Sequence, residues 1–148
     1  MNVFGTNEPK RFCLALFGQA LAWIDLWRNR PWDGSSAYGE SKLYDVMLAF
    51  AVARLWRKVL SNALTPGWVA TKMGGAGAPD DISQGHLTQA WLAVSDEPAA
   101  RTTGGYFYHL RQREPNPEAR DVTLQDRLIA ICREISGIDL ASETSARA

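Results

Sequence analysis

The stretch from Ala37 to Leu55 most constrains the fold of this chain, because its apolar residues recur at intervals of three and four. That interval is the repeat of an α-helix whose apolar side chains face a core. The apolar positions cover most of the circumference, so we expect this helix to pack on more than one side. A sheet is one expected neighbour, and the second is either the rest of the core or a partner subunit. Ser35 or Ser36, in the preceding turn, is the expected helix cap.

Tyr38 and Lys42 lie four residues apart at the start of this predicted helix, which puts them on one helical face. An ammonium group near a phenol favours the phenolate and eases proton transfer, so the pair suits general acid–base chemistry. A solvated surface pair has the same spacing and is the commoner explanation where only the spacing is known. The residues downstream of the helix therefore decide between a catalytic pair and a solvated surface pair.

A short apolar segment, Val59–Leu64, comes after the helix and predicts a buried strand. The turn residues Thr65-Pro66-Gly67 end that strand. The order of helix, strand and Pro-Gly loop is typical of an α/β unit in a parallel sheet.

Three later elements are predicted, and they are a helix over 82–94, a strand over 106–109 and a final helix over 122–135. Asp80 or Asp81 is the expected cap of the first of these helices. The final helix has four apolar residues on its expected core face, Leu124, Leu128, Ile131 and Ile135.

The chain carries 16 Lys and Arg against 16 Asp and Glu, so its formal net charge is zero and no nucleic-acid partner is expected. Its two cysteines, Cys13 and Cys132, are far apart, which disfavours a zinc site or a disulfide framework. A reducing, cytoplasmic location is therefore expected. The two histidines, His86 and His109, have no Cys or carboxylate at metal-ligand spacing, so no metal site is expected.

No signal peptide is expected, because no charged segment precedes a long apolar run at the N-terminus. The apolar stretch from Phe12 to Ile24 is shorter than the roughly 20 residues of a membrane-spanning helix, so we expect no transmembrane segment. We interpret this stretch as a buried strand over Phe12–Phe17 or as a core helix. A peripheral membrane contact is the open alternative.

Three segments in order resemble the second half of a short-chain dehydrogenase/reductase. They are Tyr38-Gly39-Glu40-Ser41-Lys42, then Ser61-Asn62-Ala63-Leu64 after a helix, then Pro66-Gly67-Trp68-Val69-Ala70-Thr71. Ser41-Lys42-Leu43 and the Trp-rich segment before Tyr38 are similar to the retinol-dehydrogenase-like and antibiotic-ketoreductase-like branch. The resemblance covers about residues 20–140.

The resemblance implies an α/β fold, the C-terminal half of a Rossmann-like doubly wound parallel sheet whose N-terminal nucleotide-binding half is missing. It divides the chain into an unmatched segment over 1–19, a partial domain over 20–140 and a flexible tail over 141–148. The implied activity is NAD(P)-dependent reduction of a small-molecule carbonyl compound or oxidation of an alcohol. The branch favours NADP over NAD.

The implied site residues match the family's motifs position by position. Tyr38 would protonate the carbonyl oxygen during reduction and act as the base in reverse. Lys42 would favour the phenolate of Tyr38 and hydrogen-bond the nicotinamide ribose. The resemblance also implies four cofactor-binding residues beside the nicotinamide: Pro66, Gly67, Val69 and Thr71. The cofactor supplies the hydride, while the protein orients the reactants and provides the electrostatic environment.

Two parts of the family's pattern are absent from the sequence. No GxGxxG or GxxxGxG motif, which would receive the pyrophosphate, lies in the 37 residues before Tyr38. The position of the family's catalytic Ser falls near Phe12, where no Ser stands. We therefore expect a truncated, impaired chain, with residues 1–19 arising from an altered reading frame or a wrong start.

Two alternatives accompany that expectation. One is a non-catalytic fragment that associates with a partner subunit or forms a homo-oligomer through the Ala37–Leu55 helix. The other is a fragment that does not fold independently and shows no cooperative unfolding transition.

Overall fold

The computed structural model describes residues 31–140, and the predicted strand at Phe12–Phe17 and the segments 1–19 and 141–148 lie outside that range. Three α-helices are described: α1 (Gly34–Leu55), α2 (Leu87–Val94) and α3 (Val122–Ser136). The strands are β1 (Ala63–Thr65), β2 (Tyr106–Tyr108) and β3 (Arg111–Arg113), and 3₁₀ turns lie at Ile82–Gln84 and Pro117–Arg120.

The helix α1 begins three residues earlier than predicted, and its cap is Asp33 rather than Ser35 or Ser36. The Asp33 carboxylate accepts a hydrogen bond from the backbone N–H of Ser36 at 2.9 Å. Aspartate is among the strongest N-cap residues because its side chain satisfies an N–H that has no partner within the helix. Both serines instead lie inside the first turn.

The sheet is small and mixed, which corrects the prediction of a parallel sheet while it agrees with an α/β fold. β1 pairs in parallel with β2, so that Ala63 lies opposite Tyr106. β2 turns back into β3 and pairs with it in antiparallel fashion, with Tyr106 opposite Arg113. The strand β3 was not predicted, because its three residues are polar and exposed and carry no apolar alternation.

The strand β1 is shorter than the predicted Val59–Leu64, since the chain turns after α1 and Val59 and Leu60 stay exposed. Side chains extend the pairing before β1 begins. The Asn62 amide donates to the carbonyl of Thr102 at 2.7 Å, and its oxygen accepts from the N–H of Gly105 at 2.9 Å. A side-chain amide can both donate and accept, so Asn62 replaces two backbone bonds at the entrance to the sheet.

The helix predicted over 82–94 is interrupted. A 3₁₀ turn at Ile82–Gln84 ends at Gly85, and α2 begins only at Leu87. Asp81 caps the turn, accepting from the N–H of Ser83 at 2.8 Å. The predicted helix is therefore a 3₁₀ turn followed by a shorter α-helix.

The core lies where α1 meets α3, the 3₁₀ turn at Pro117–Arg120 and β1. The helix α3 was predicted within one residue, because Asp121 caps its start and Gly137, at φ 73°, ends it. Ile135 was expected on the core face but is 59% exposed. The buried core residues are Met47, Phe50, Ala63, Ala119, Leu124 and Leu128.

Candidate active site

Tyr38 is the one aromatic residue on the exposed surface of α1, with 44% of its surface accessible. The other exposed positions of the helix are small or polar, and they are Gly34, Ser35, Gly39, Ser41, Lys42, Asp45 and Arg54. The apolar residues of α1 turn inward, so core packing accounts for the broad apolar surface seen in the sequence. Tyr38 therefore lies among small and polar neighbours on the exposed part of α1.

Lys42 shares this exposed face, and its Nζ pairs with Oδ2 of Asp45 at 2.6 Å. The hydrogen bond that Lys42 donates to Asp45 is the main cause that raises the pKa of Lys42 above its ordinary value, and the charges of Asp45 and Tyr38 add to it. The group therefore stays an ammonium throughout the physiological pH range. Both side chains are more than half exposed, so water screens the pair and its geometry can change at little cost.

One hydrogen bond joins α1 to the segment that leads into β1. The Ser61 hydroxyl donates to the carbonyl of Ala49 at 2.8 Å, so the chain has already turned back along the helix before β1 begins.

The loop that carries Pro66 to Thr71 begins at the carboxyl end of β1. β2 is parallel to β1 and ends at the same edge. In open α/β sheets, ligands bind at the carboxyl ends of parallel strands, so this edge is the candidate active site.

The loop after β1 turns sharply at Gly67, where φ is +87°. A Cβ at this position would stand 2.5 Å from Oδ2 of Asp80 and 2.9 Å from the ring of Tyr108. Only glycine fits both the backbone conformation and the space. The N–H of Gly67 also donates to the hydroxyl of Thr65 at 3.2 Å, which keeps the turn against the end of β1.

Asp80 fastens this loop to the sheet, a role that the sequence did not indicate. Its Oδ2 accepts from the N–H of Trp68 at 2.5 Å, and its Oδ1 accepts from the hydroxyl of Tyr108 at 2.7 Å. Its own N–H donates to the carbonyl of Trp68 at 3.0 Å. The sequence offered Asp80 only as a helix cap, and the structure gives that role to Asp81.

Val69 and Thr71, two of the predicted cofactor-binding residues, lie in the part of the loop that Asp80 closes. Val69 forms an isolated bridge with Asp80, and its carbonyl accepts from the N–H of Thr71 at 2.7 Å. The Thr71 hydroxyl accepts from the N–H of Gly74 at 3.0 Å, and the side chain is exposed. The loop is thus held by its own hydrogen bonds, with Thr71 on its outer surface.

The turn between β2 and β3 adds a second unusual backbone at the same edge. His109 and Leu110 form its two central positions with φ of 47° and 63°. Both values lie in the left-handed region, as the two-residue hairpin turn with the right twist requires. The buried hydroxyl of Thr88 accepts from the N–H of Leu110 at 3.1 Å and holds the turn against α2.

The structure places Tyr38 and Lys42 on the exposed face of α1, and Pro66, Gly67, Val69 and Thr71 in the loop after β1. Within residues 31–140, no group of His, Cys, Asp and Glu could hold a metal ion. None of the helices over that range is long and apolar enough to cross a membrane.

This chain is similar to several known proteins over part of their length. The short-chain dehydrogenase chyC of Penicillium rubens is 39% identical over 105 residues, which are 70% of this chain and 40% of that protein. Retinol dehydrogenase 13 of Homo sapiens is 28% identical over 139 residues, 78% of this chain and 41% of that protein. Carbonyl reductase (NADPH) 1 of Sus scrofa is 38% identical over 73 residues, 45% of this chain and 25% of that protein.

No protein-family profile matches the chain, and no solved structure matches it. The similarity to a retinol dehydrogenase agrees with the branch that the sequence motifs predicted. The chain spans about two fifths of the length of the curated relatives it matches. These relatives confirm the family prediction: the chain belongs to the short-chain dehydrogenase/reductase family.

Proposed function

We propose that these residues form the proton-transfer half of an NAD(P)-dependent oxidoreductase that interconverts a small carbonyl compound and its alcohol. The observation that carries the proposal is Tyr38, an exposed aromatic on an otherwise polar helix face, with Lys42 one turn farther along. The loop that holds the other proposed site residues follows the carboxyl end of a strand in a parallel pair, where ligands bind in open α/β sheets. The relatives named as oxidoreductases support the same class of reaction.

The described residues fit the nicotinamide end of a cofactor. Tyr38 and Lys42 offer an exposed hydroxyl and an exposed ammonium on one face, which suit a ribose and a reacting oxygen. Gly67 holds the loop in a tight turn at the end of β1, beside the side chains of Asp80 and Tyr108. Pro66, Gly67, Val69 and Thr71 would contact the nicotinamide from that side. A bound nicotinamide supplies the hydride for reduction or accepts it in reverse.

Tyr38 supplies the proton in this proposal. Its hydroxyl donates a hydrogen bond to the carbonyl oxygen of the substrate and transfers its proton as negative charge develops there. The ammonium of Lys42, which its raised pKa keeps charged, lowers the energy of the phenolate that remains. In alcohol oxidation the same phenolate takes the proton from the substrate hydroxyl.

The pyrophosphate of the cofactor is proposed to bind elsewhere in the whole protein. The sequence holds no glycine-rich phosphate-binding motif before Tyr38, and the relatives are more than twice as long as the matched segment. The parallel pair β1–β2 with α1 is then one part of a doubly wound sheet. Because the phosphate site supplies much of dinucleotide affinity, the 148-residue chain by itself should bind cofactor weakly.

The test of the proposed reaction uses the whole polypeptide that carries these residues. NADPH and NADH oxidation are followed with a panel of small aromatic and aliphatic ketones and aldehydes. Replacing Tyr38 with Phe is expected to lower kcat about 10²–10⁴-fold with little change in cofactor affinity, because only the transferred proton is lost. Tyr44, a partly buried tyrosine on the same helix, provides the control Tyr44→Phe.

Equal rates for the Tyr38→Phe variant and the unaltered protein would overturn the proposal. Lys42→Met is expected to lower kcat and to weaken cofactor binding together, since Lys42 would act on both the phenolate and the ribose. The extent of the site is tested separately by titrating NADPH and NADH into the 148-residue chain and following cofactor fluorescence. Micromolar binding there would contradict a phosphate site outside these residues.

The alternative of a non-catalytic fragment stays a prediction. The alternative was based on the broad apolar surface of α1. In the described part of the chain, that surface packs against α3, β1 and the turn at Pro117–Arg120. Light scattering of the purified chain, alone and with a longer homologue, would test it. A monomer that does not associate with the homologue would contradict the alternative.

A further inference from the structure

The peptide that joins Trp68 to Val69 is held on the side that faces Asp80. The N–H of Asp80 donates to the carbonyl of Trp68 at 3.0 Å, and Oδ2 of Asp80 accepts from the N–H of Trp68 at 2.5 Å. Both backbone polar groups of Trp68 therefore bond the same residue. The parallel bridge between Val69 and Asp80 is part of the same contact.

This contact also sets the direction of the N–H of Val69. A trans peptide is planar, so its C=O and its N–H point to opposite sides of the chain. The peptide is trans and its C=O points at Asp80, so the N–H of Val69 points away from Asp80. Among residues 31–140, no carbonyl or side chain accepts a hydrogen bond from this N–H. The loop thus holds one oriented backbone donor that a ligand can use.

The turns on either side resist a rotation of this peptide. Before it, Gly67 has φ of +87° in a space that a Cβ would not fit. After it, the carbonyl of Val69 accepts from the N–H of Thr71 at 2.7 Å. A Cβ on Gly74 would lie 2.0 Å from the same carbonyl oxygen, so the loop is closely packed there. Turning the peptide over would break the bonds to Asp80 and disturb both turns.

We propose that Asp80 is a positioning residue that directs the N–H of Val69 toward the carboxamide oxygen of the nicotinamide. Asp80 does not touch the cofactor and acts through the peptide that it holds. The proposal rests on the proposed function for the identity of the ligand, while the orientation of the peptide is a property of the loop. A donor that is already oriented loses little freedom when the ligand binds, which raises affinity.

The first test measures amide hydrogen exchange by NMR in the 148-residue chain, with rates corrected for the intrinsic rate of each amide. The N–H of Trp68 should exchange more slowly than that of Val69, because only the first has an acceptor. Asp80→Ala is expected to speed the exchange of the Trp68 amide about tenfold, as the loss of one hydrogen bond implies. Equal exchange of this amide with and without the carboxylate would overturn the proposal.

The second test compares dinucleotide binding with binding of the same compound without its nicotinamide ring. The whole polypeptide is titrated with NADH and ADP-ribose, and with NADPH and 2′-phospho-ADP-ribose. Asp80→Ala is expected to weaken binding of the dinucleotides about tenfold and that of the ring-less compounds less than about twofold. A general loss of structure would weaken both classes alike. Equal losses, or unchanged dinucleotide binding, would overturn the proposal.

Three variants control these measurements. Asp80→Asn keeps an acceptor for the N–H of Trp68 and offers an amide to the oxygen of Tyr108, so it should restore most of the dinucleotide affinity. Tyr108→Phe removes only the bond to Oδ1 and should cost less affinity than Asp80→Ala. Asp81→Ala removes the neighbouring carboxylate, which bonds Ser83, and should leave the exchange and the affinities unchanged. Losses in Asp81→Ala as large as in Asp80→Ala would contradict the proposal.

The two tests separate this inference from the proposed function. If the whole polypeptide binds neither NADH nor NADPH, the proposed function fails, while the exchange of the Trp68 amide still decides whether Asp80 directs the peptide. If the dinucleotides bind and Asp80→Ala weakens them no more than the ring-less compounds, only the role of Asp80 fails.

Discussion

The hydroxyl of Tyr108 donates a hydrogen bond to Oδ1 of Asp80 at 2.7 Å and so joins the end of β2 to the loop after β1. The other oxygen of the same carboxylate accepts from the N–H of Trp68 at 2.5 Å. A single side chain thus fixes the loop that carries most of the proposed nicotinamide contacts. Hydrogen bonds to a charged acceptor are the stronger kind, so this carboxylate should contribute strongly to holding the loop in place.

Removing either partner of this bond should destabilise the fold unequally. We expect Asp80→Ala to lower the free energy of unfolding by about 1.5–3 kcal/mol, because two hydrogen bonds to a charged group are lost. Tyr108→Phe should cost about 1 kcal/mol, since only one bond is lost and the ring remains. Urea denaturation of both variants and of the double variant measures the coupling, for which about 0.5–3 kcal/mol is expected. Additive losses would show that the two side chains act independently.

Stability should fall at alkaline pH through Tyr108. The hydrogen bond to Asp80, burial and the charge of Asp80 raise the pKa of Tyr108 above its ordinary value of 10.0. A group whose folded pKa is raised contributes stability below its unfolded pKa and loses it as pH rises through the folded pKa. Denaturation midpoints should therefore decline above about pH 10, and Tyr108→Phe should make that decline shallower. Burial also raises the pKa of Tyr106, so part of the decline remains in the variant.

Replacing glycine with alanine should change the stability of the fold in opposite directions at two positions. Gly67→Ala forces a Cβ against Asp80 and Tyr108 at a positive φ, so we expect a loss of about 1–3 kcal/mol. Gly39 lies inside α1 with nothing within 4 Å of its Cβ position, so Gly39→Ala should add about 0.5–1 kcal/mol. Thermal unfolding of the two variants checks both signs. A neutral Gly67→Ala would show that the loop after β1 is free to rearrange.

Met47 is fully buried at the centre of the α1–α3 contact, so its truncation should be costly. We expect Met47→Ala to lower the free energy of unfolding by about 2–5 kcal/mol through lost burial and a residual cavity. Met73 is 82% exposed, and Met73→Ala should change stability by less than about 0.5 kcal/mol. Urea denaturation of this pair tests whether residues 31–140 unfold around a common core. Equal, small effects would contradict the described packing.

The turn between β2 and β3 offers a conformational test. Leu110 has φ of 63°, a conformation that costs most residues energy but not glycine. We expect Leu110→Gly to raise the free energy of unfolding by about 0.5–1 kcal/mol and Leu110→Val to lower it, because β-branched residues tolerate positive φ poorly. Thermal unfolding measures both variants. A stabilising valine would contradict the left-handed turn.

The helices were largely predictable because their signals are local. α1 and α3 carry apolar residues at helical spacing, and Gly137 ends α3 as its sequence position indicates. The cap of α1 was missed because Asp33, Ser35 and Ser36 are all good caps, and the structure begins the helix at Gly34, directly after Asp33. The strand β3 was missed because His109-Leu110 lacks the Asn-Gly type of turn signal and β3 itself is polar.

The sequence by itself determined the family, the Tyr38–Lys42 pair and the segment from Pro66 to Thr71, because these are patterns of residue type at fixed spacing. Tertiary structure alone decided that Asp80 rather than Asp81 fastens the loop, and that Asp45 holds the Lys42 ammonium. Both outcomes depend on which side chains meet in space. Several acceptors compete for each donor in the sequence, and only the positions of the backbone select the one within hydrogen-bond distance.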